Sequence, residues 1–462
     1  MFRRSLILAW IGIIALSGMF LLGQEGWAPC TDNDGDGYGS PASASCRYPG
    51  FDCDDNNQDI HPGATEGPNG DPTCSDTVDN DCDGITDTPD EGCVKGVILD
   101  QELDVSDKGY TVMHVWGSHY EMGYAHASLL QDSIVDGIAQ FKQKVGQLNY
   151  LTLRTLMLFS VWQPPEIQEE INGMVDLLAA THPSAGIDEL DLKVCNTVGD
   201  WGTACRSHIC WGRYVEDPIK TLATRRLDHT TPVSEANHHV LCAWDPDDGS
   251  PKWVNLAWPG YVTAVTAVNE FGTLASLNSF LPYIKDLSPG RVSLMVAARH
   301  ALTFPTDPDL STHLADVFAE LQGYESMSNY FVTYYVPEGY GGVMTANPNQ
   351  TGPDFYHLRM PQEVWHHGEA MITTNVWTDG TTTPPDEDFG ADAYYDDESA
   401  KTLASHWDLL AIEGSNPLLS LHMLSVAYRG RGDMTLWADG RIDGVGRTQR
   451  LEWEWSDLFE EP

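Results

Sequence analysis

Basic side chains are scarce in this 462-residue sequence: 25 Lys and Arg stand against 68 Asp and Glu, a formal charge of −43. A field of that sign repels phosphate backbones and anionic lipid, which argues against a nucleic-acid partner and leaves cations as the natural counterparts. The deficit is deepest in residues 24–93, where 17 acidic residues meet one basic residue, Arg47. That stretch also has too little apolar content to build a core, and it lacks helical periodicity. No clean small-x-small cleavage site precedes Pro29.

Apolar residues are not lacking elsewhere. They make up 42% of the chain, with 15 Trp, which argues for at least one large buried core, and 462 residues are long enough for two or three domains. Met1-Phe2-Arg3-Arg4 followed by an apolar run from Leu6 to Leu22 is an export signature. Its length fits either a signal peptide over residues 1–23 or a short retained anchor, with a membrane tether through residues 5–22 in the second case. Both place the chain outside the cytoplasm: periplasmic, at the cell surface or secreted. Six of the ten cysteines (Cys30, Cys46, Cys53, Cys74, Cys82 and Cys93) fall in the polar stretch, where disulfides and metals replace hydrophobic burial. Six cysteines allow 15 pairings, and spacing alone does not choose among them.

Within residues 24–94 a pattern repeats. Asp32-Asn33-Asp34-Gly35-Asp36-Gly37 and Asp79-Asn80-Asp81-Cys82-Asp83-Gly84 place carboxylates at loop positions 1, 3 and 5 and glycine at 6. Alternate side chains then converge on one hard cation, for which calcium is the expected ion, while glycine makes the sharp turn. Position 12 of the first loop is Ser43; the second loop offers Asp87 at 9 and Asp90 at 12. Between the loops, Asp52, Asp54 and Asp55 are further candidate ligands. Without flanking helices this is not an EF-hand; it resembles the Cys- and Asp-rich calcium repeats of secreted bacterial proteins, similar to thrombospondin type 3 loops. The competing reading is a solvated acidic linker.

From Lys95 the composition becomes globular. Leu130, Ile134, Ile138, Phe141 and Val145 recur at helical spacing, and Pro165 opens a second amphipathic stretch with Ile167, Ile171, Met174 and Leu178 on one face. Tyr261 to Val268, a turn at Asn269-Glu270-Phe271-Gly272, and Thr273 to Asn278 read as a hairpin. Helices followed by strand pairs predict a layered α+β domain over residues 95–462.

The chemistry centres on Gly202-Thr203-Ala204-Cys205-Arg206-Ser207-His208-Ile209-Cys210-Trp211-Gly212. If this segment is a strand, Cys205 and Cys210 lie on opposite faces and cannot easily bond to each other. Cys195, Cys210 and Cys242 then supply at most one disulfide. Cys210-Trp211 does not extend into a papain-like motif, because His208-Ile209 precede it. The pairs His238-His239 and His366-His367 lack metal-ligand spacing with acidic partners and are read as exposed or packing residues.

Several segments in order resemble the acyl-coenzyme A:6-aminopenicillanic acid acyltransferase-like family (peptidase family C45) of N-terminal-nucleophile hydrolases. They are Gly117-Ser118-His119-Tyr120-Glu121-Met122-Gly123-Tyr124-Ala125-His126, Leu192 to Asp200 with Asn196, Ala204-Cys205, Arg225-Arg226-Leu227-Asp228, Trp258-Pro259-Gly260, Asn269-Glu270-Phe271-Gly272 with Asn278, and Thr374-Asn375. The chain departs from that family at Arg206, where Ser or Thr follows the nucleophile, and at Ala127, Arg226 and Val376.

The resemblance implies an αββα four-layer sandwich that cuts itself between Ala204 and Cys205, giving portions 95–204 and 205–462. Cys205 would then be the nucleophile, because its freed α-amino group can take the thiol proton near neutral pH. Arg225 and Asp228 would flank it, with Asp228 positioning the amine. Asn278 and Asn347 would donate to the tetrahedral oxyanion. The substrate would be a small-molecule amide or acyl compound, with no cofactor for catalysis. The rivals are an inactive calcium-binding surface scaffold or adhesin and a lipid (ceramide-type) amidase on the same fold.

Overall fold

The computed structural model describes residues 29–462 apart from 68–70, 85, 87–89, 107, 161–162, 198–202, 230–236, 285–290, 305–309, 326–327, 347–355, 360–367, 374–389, 412–419, 443–445, 448 and 461–462. Two compact units divide the chain, Met1–Val94 and Lys95–Pro462.

The first unit has few apolar groups to bury, and covalent links take their place. Disulfides join Cys30 to Cys46, Cys53 to Cys82 and Cys74 to Cys93, one of the fifteen pairings left open by the sequence. Among its described residues there is no α-helix, only single 3-10 turns at Pro72–Ser75 and Glu91–Cys93, each capped by an aspartate, Asp71 and Asp90. Tyr38 stacks between Tyr48 and His61, a small aromatic centre.

The second unit begins with β1 (Gly96–Leu103) and β2 (Gly109–Gly117) and continues through four helices: α1 (His119–Val145), α2 (Gln147–Ser160), α3 (Pro165–Thr181) and α4 (Glu189–Cys195). Strands follow as β3 (Thr203–Trp211), β4 (Thr221–His229), β5 (His238–Pro246), β6 (Trp253–Ala257), β7 (Thr266–Asn269) and β8 (Leu274–Ile284). Then come α5 (Leu294–Thr303), α6 (Leu310–Leu321), β9 (Ser328–Tyr335), β10 (Gly342–Ala346), β11 (Tyr356–Arg359) and β12 (Ala370–Thr373). The chain closes with α7 (Ala391–Asp396), α8 (Leu403–Ala411), β13 (Ser420–Gly430), β14 (Asp433–Ile442), β15 (Gly446–Arg447) and β16 (Leu451–Glu454).

Among the described residues the strands form two sheets. One runs β1-β2-β5-β6-β7-β8-β9-β10-β11; the other runs β12-β3-β4-β13-β14-β15, with β16 also on β14. The β2–β5 pair is parallel, which a tight hairpin could not join, and the chain between them runs through the four helices, β3 and β4. The inner faces pack together: Leu241, Val254, Val268 and Leu274 of the first sheet share a core with Ile209, Ala223, Leu424 and Leu436 of the second. Helices α1 and α5 cover the outside of the first sheet, and α3 packs on α1. The outer face of the second sheet packs Cys210, Leu222 and Met423 against Tyr395 of α7 and Trp407 and Leu410 of α8. The layers are therefore helix, sheet, sheet, helix.

Local signals explain the helix ends. Ser118 caps α1 in a reciprocal box with Glu121, Asp188 does the same for α4 with Asp191, and Pro165 opens α3. Leu130, Ile134, Ile138 and Phe141 of α1 are buried, as are Ile167, Ile171, Met174 and Leu178 of α3. One expectation needs correcting: the first strand of the hairpin starts at Thr266 rather than Tyr261. Side chains claim the backbone before it, since Asn196 donates to the Gly260 carbonyl and accepts from the Val262 N–H, and His126 accepts from the Gly260 N–H. Those peptide groups are lost to any ladder.

Candidate active site and acidic loops

Register on the second sheet builds the site. Cys205 lies opposite Leu227, which lies opposite His422; Ser207 lies opposite Arg225, which lies opposite Leu424. Strand alternation puts all of these on the inner face with Ile209 and Ala223, and sends Arg206, His208 and Cys210 to the outer face. Arg206 thus follows the thiol in sequence but sits on the other side of the sheet, opposite Arg226, whose Nη1 donates to the Leu410 carbonyl at the end of α8.

Cys205 and Arg225 are both fully buried, and Arg225 Nη2 donates to the Cys205 sulfur at 3.1 Å. Its Nη1 donates to Thr266 Oγ1 on β7 and lies 3.3 Å from His422 Nε2; Thr266 Oγ1 and His422 Nε2 are 2.8 Å apart. The Ser207 and Ser276 hydroxyls meet at 3.4 Å, so the two sheets contribute jointly. Behind His422, Gly440 lies opposite it in register, and a Cβ there would come within 2.1 Å of His239 Cδ2. The arrangement gives an anion formed at the sulfur a fixed cation held by a hydroxyl and an imidazole.

Asp228 is on β4 in register with Ala204, and Asn278 is on β8 in register with Phe331; their side chains lie outside the described set, as does the whole of Asn347. Thr374-Asn375 and His366-His367 fall outside it too. His422 and Thr266 were missed from the sequence. The available signal was parity: His422 shares the inward face of β13 with Leu424 and Val426, where a polar ring needs partners.

The other three cysteines outside the first unit carry no disulfide either. Burial pushes the Cys210 thiol up to about 12 and the Cys242 thiol well above its ordinary value, which keeps both protonated and inert. Cys242 Sγ sits 3.8 Å from Nδ1 of His126, whose ring burial lowers to about 3. On the outer face His208 stacks on His406 at 3.7 Å, and Tyr395 bonds His208 at 2.7 Å. Burial keeps both rings neutral, which makes this a packing network.

In the first unit three groups of carboxylates converge: Asp32, Asp34 and Asp36; Asp79, Asp81 and Asp83; and Glu66, Asp81 and Asp90. Asp32 accepts from the N–H groups of Gly35 and Gly37, and Asp79 from those of Asp83 and Gly84. Gly37 and Gly84 adopt φ of 104° and 96°, the left-handed turn that position 6 demands. Glu66 went unnoticed in the sequence because it belongs to neither loop; it is buried and accepts the Asn80 N–H at 2.8 Å. Asp52, Asp54 and Asp55 are outside these groups. Asp55 clamps Asn33 through its backbone and side-chain amides, while Asp52 accepts from the Asp54 N–H. Asp87 lies outside the described residues.

Asp34 Oδ2, Asp36 Oδ2 and Asp52 Oδ2 are buried without a hydrogen-bond partner. Burial and then neighbouring carboxylates raise Asp52 and Asp81, and burial followed by repulsion from Asp81, Asp83 and Glu66 raises Asp90 to about 6. An all-carboxylate donor set with orphaned oxygens fits a hard cation.

Comparison with known proteins adds two findings. The family Cu-binding_MopE, described as "Putative metal-binding motif", matches residues 52–88. Among solved structures the chain is similar to a Caenorhabditis elegans N-acylethanolamine-hydrolyzing acid amidase (NAAA) ortholog, at 13% identity and a TM-score of 0.33, over 48% of this chain and 92% of that one. No curated protein sequence is matched. Three disulfides assign the first unit to an oxidising compartment. Among the described residues no helix is long and apolar enough to cross a membrane, and the apolar run at residues 5–22 lies outside them.

Proposed function

We propose that this chain is an exported N-terminal-nucleophile amide hydrolase that cuts itself between Ala204 and Cys205 and then uses Cys205 as its nucleophile. The observation that carries the reading is the Arg225 guanidinium 3.1 Å from a buried cysteine sulfur, between two packed sheets with helices outside them. On this reading the new α-amino group of Cys205 takes the thiol proton, the thiolate attacks the amide carbonyl carbon, and the C–N bond breaks as the ammonium returns that proton to the departing amine. The acyl group then passes from a Cys205 thioester to water, or to an amine in an acyltransferase. Arg225 holds charge at the sulfur, Asp228 orients the amine, and Asn278 and Asn347 serve the oxyanion. Acyl-coenzyme A is scarce outside the cell, which favours water as the acceptor.

The first unit is proposed as a calcium-stabilised spacer or surface adaptor. Asp32, Asp34 and Asp36 would hold one cation and Asp79, Asp81 and Asp83 another, neutralising carboxylates that otherwise repel. The cation would act on stability and take no part in the chemistry.

Mass measurement with N-terminal sequencing tests the central claim. Wild-type protein is expected to yield a heavy fragment beginning at Cys205, absent from a Cys205→Ala variant. An intact wild-type chain indistinguishable from that variant would overturn the enzyme and favour an inactive scaffold. Arg225→Lys should slow cutting by about 10²-fold, because one ammonium cannot reach both the sulfur and Thr266.

A further inference from the structure

We infer that His422 is a positioning residue for Cys205, acting through Thr266 and Arg225; the inference rests on Cys205 being the nucleophile. The donor-only guanidinium orders the roles along the chain of contacts. A guanidinium only donates, so Thr266 Oγ1 accepts from Arg225 Nη1. The threonine hydroxyl has one hydrogen, and His422 Nε2 is 2.8 Å away to accept it. Arg225 Nη1 points a second donor at the same nitrogen from 3.3 Å. Two donors converge on Nε2, so that atom carries the lone pair, and the ring is neutral with its hydrogen on Nδ1. A hydrogen on Nε2 would oppose the Arg225 Nη1 donor, which has no lone pair to receive it, and a charged ring would add a cation beside Arg225.

The consequence reaches the sulfur through one rigid group. Arg225 offers Nη2 to Cys205 and Nη1 to the Thr266–His422 pair, so fixing one edge of the planar guanidinium fixes the other. His422 can fix it because it is fully buried on β13, one strand beyond Leu227, and packs edge-on to His239 at 6.0 Å. Remove the imidazole acceptor and the Thr266 hydroxyl is free to turn, Arg225 loses an acceptor, and its placement at the sulfur loosens.

The test measures the rate of cutting between Ala204 and Cys205 together with the histidine ring's ¹⁵N spectrum. His422→Leu should slow cutting by about 100-fold, the cost of a reacting group held loosely. His422→Gln, whose amide oxygen can still accept from Thr266, should recover most of the rate. Thr266→Val, nearly unchanged in shape, should slow cutting as well, and combining it with His422→Leu should add little, as for two members of one path. In wild type the ring should titrate as neutral with hydrogen on Nδ1. A charged ring or a hydrogen on Nε2 would overturn the inference. A wild-type chain that stays intact overturns the Cys205 reading and this inference with it; a wild-type chain that cuts alongside an unimpaired His422→Leu protein overturns this inference alone.

Discussion

The two units of this chain solve the same problem by opposite means. Residues 30–93 carry three disulfides and three converging groups of carboxylates, whereas the described residues beyond Lys95 contain four cysteines outside any disulfide and an extensive apolar core. Both sit in one polypeptide and meet one compartment. Cross-links are found where burial is insufficient, and where burial suffices, cysteine behaves as a small core residue. The contrast also sorts the buried charges: in the first unit carboxylates repel one another, while in the second Glu170 is held by Arg299 at 2.7 Å and His119 at 2.8 Å.

The largest separation between the units should come from Cys205→Ala, which is expected to reduce chain cutting by about 10⁴-fold or more while leaving the disulfide unit's melting unchanged. Reductant should do the reverse, costing the first unit about 2–5 kcal/mol per bridge and leaving the second unit's transition in place, read by calorimetry on the whole chain. Chelation comes next: at calcium a hundredfold above its dissociation constant, removal should cost about 2.7 kcal/mol, again in the first unit alone. This effect carries a pH signature. Asp90 binds its proton more tightly folded than unfolded, so the cation-free unit gains stability as pH falls through about 6, and calcium must compete with that proton. Titration calorimetry on either side of about pH 6 should therefore find weaker binding on the acid side, and equal affinities would refute the assignment. The smallest effect expected is Gly440→Ala, which crowds His239 and should lower the second unit's melting by about 1–3 kcal/mol without touching calcium binding.

What could be read in the sequence was what depends on local pattern. The faces of α1 and α3, the turn at Asn269–Gly272 and the two aspartate loops follow from periodicity and turn chemistry, which act within a few residues. The opposite placement of Cys205 and Cys210 followed from strand alternation alone. What was hidden depends on distant segments. Glu66 reaches Asp81 and Asp90 only because the chain folds back on itself, and His422 stands near Cys205, 217 positions earlier in the sequence, because β13 happens to be the strand beyond β4. The late start of β7 had the same origin, since Asn196 and His126 come from other elements to claim its expected first residues.

The parallel pairing of β2 with β5 has a practical corollary. Gly109 through Gly117 hydrogen-bond to His238 through Pro246, so the stretches before and after residue 204 are rungs of one sheet. A nick at that point would leave the halves interleaved and inseparable under native conditions. Gel filtration would register a single particle of unchanged size, and only detergent or urea would disclose two polypeptides.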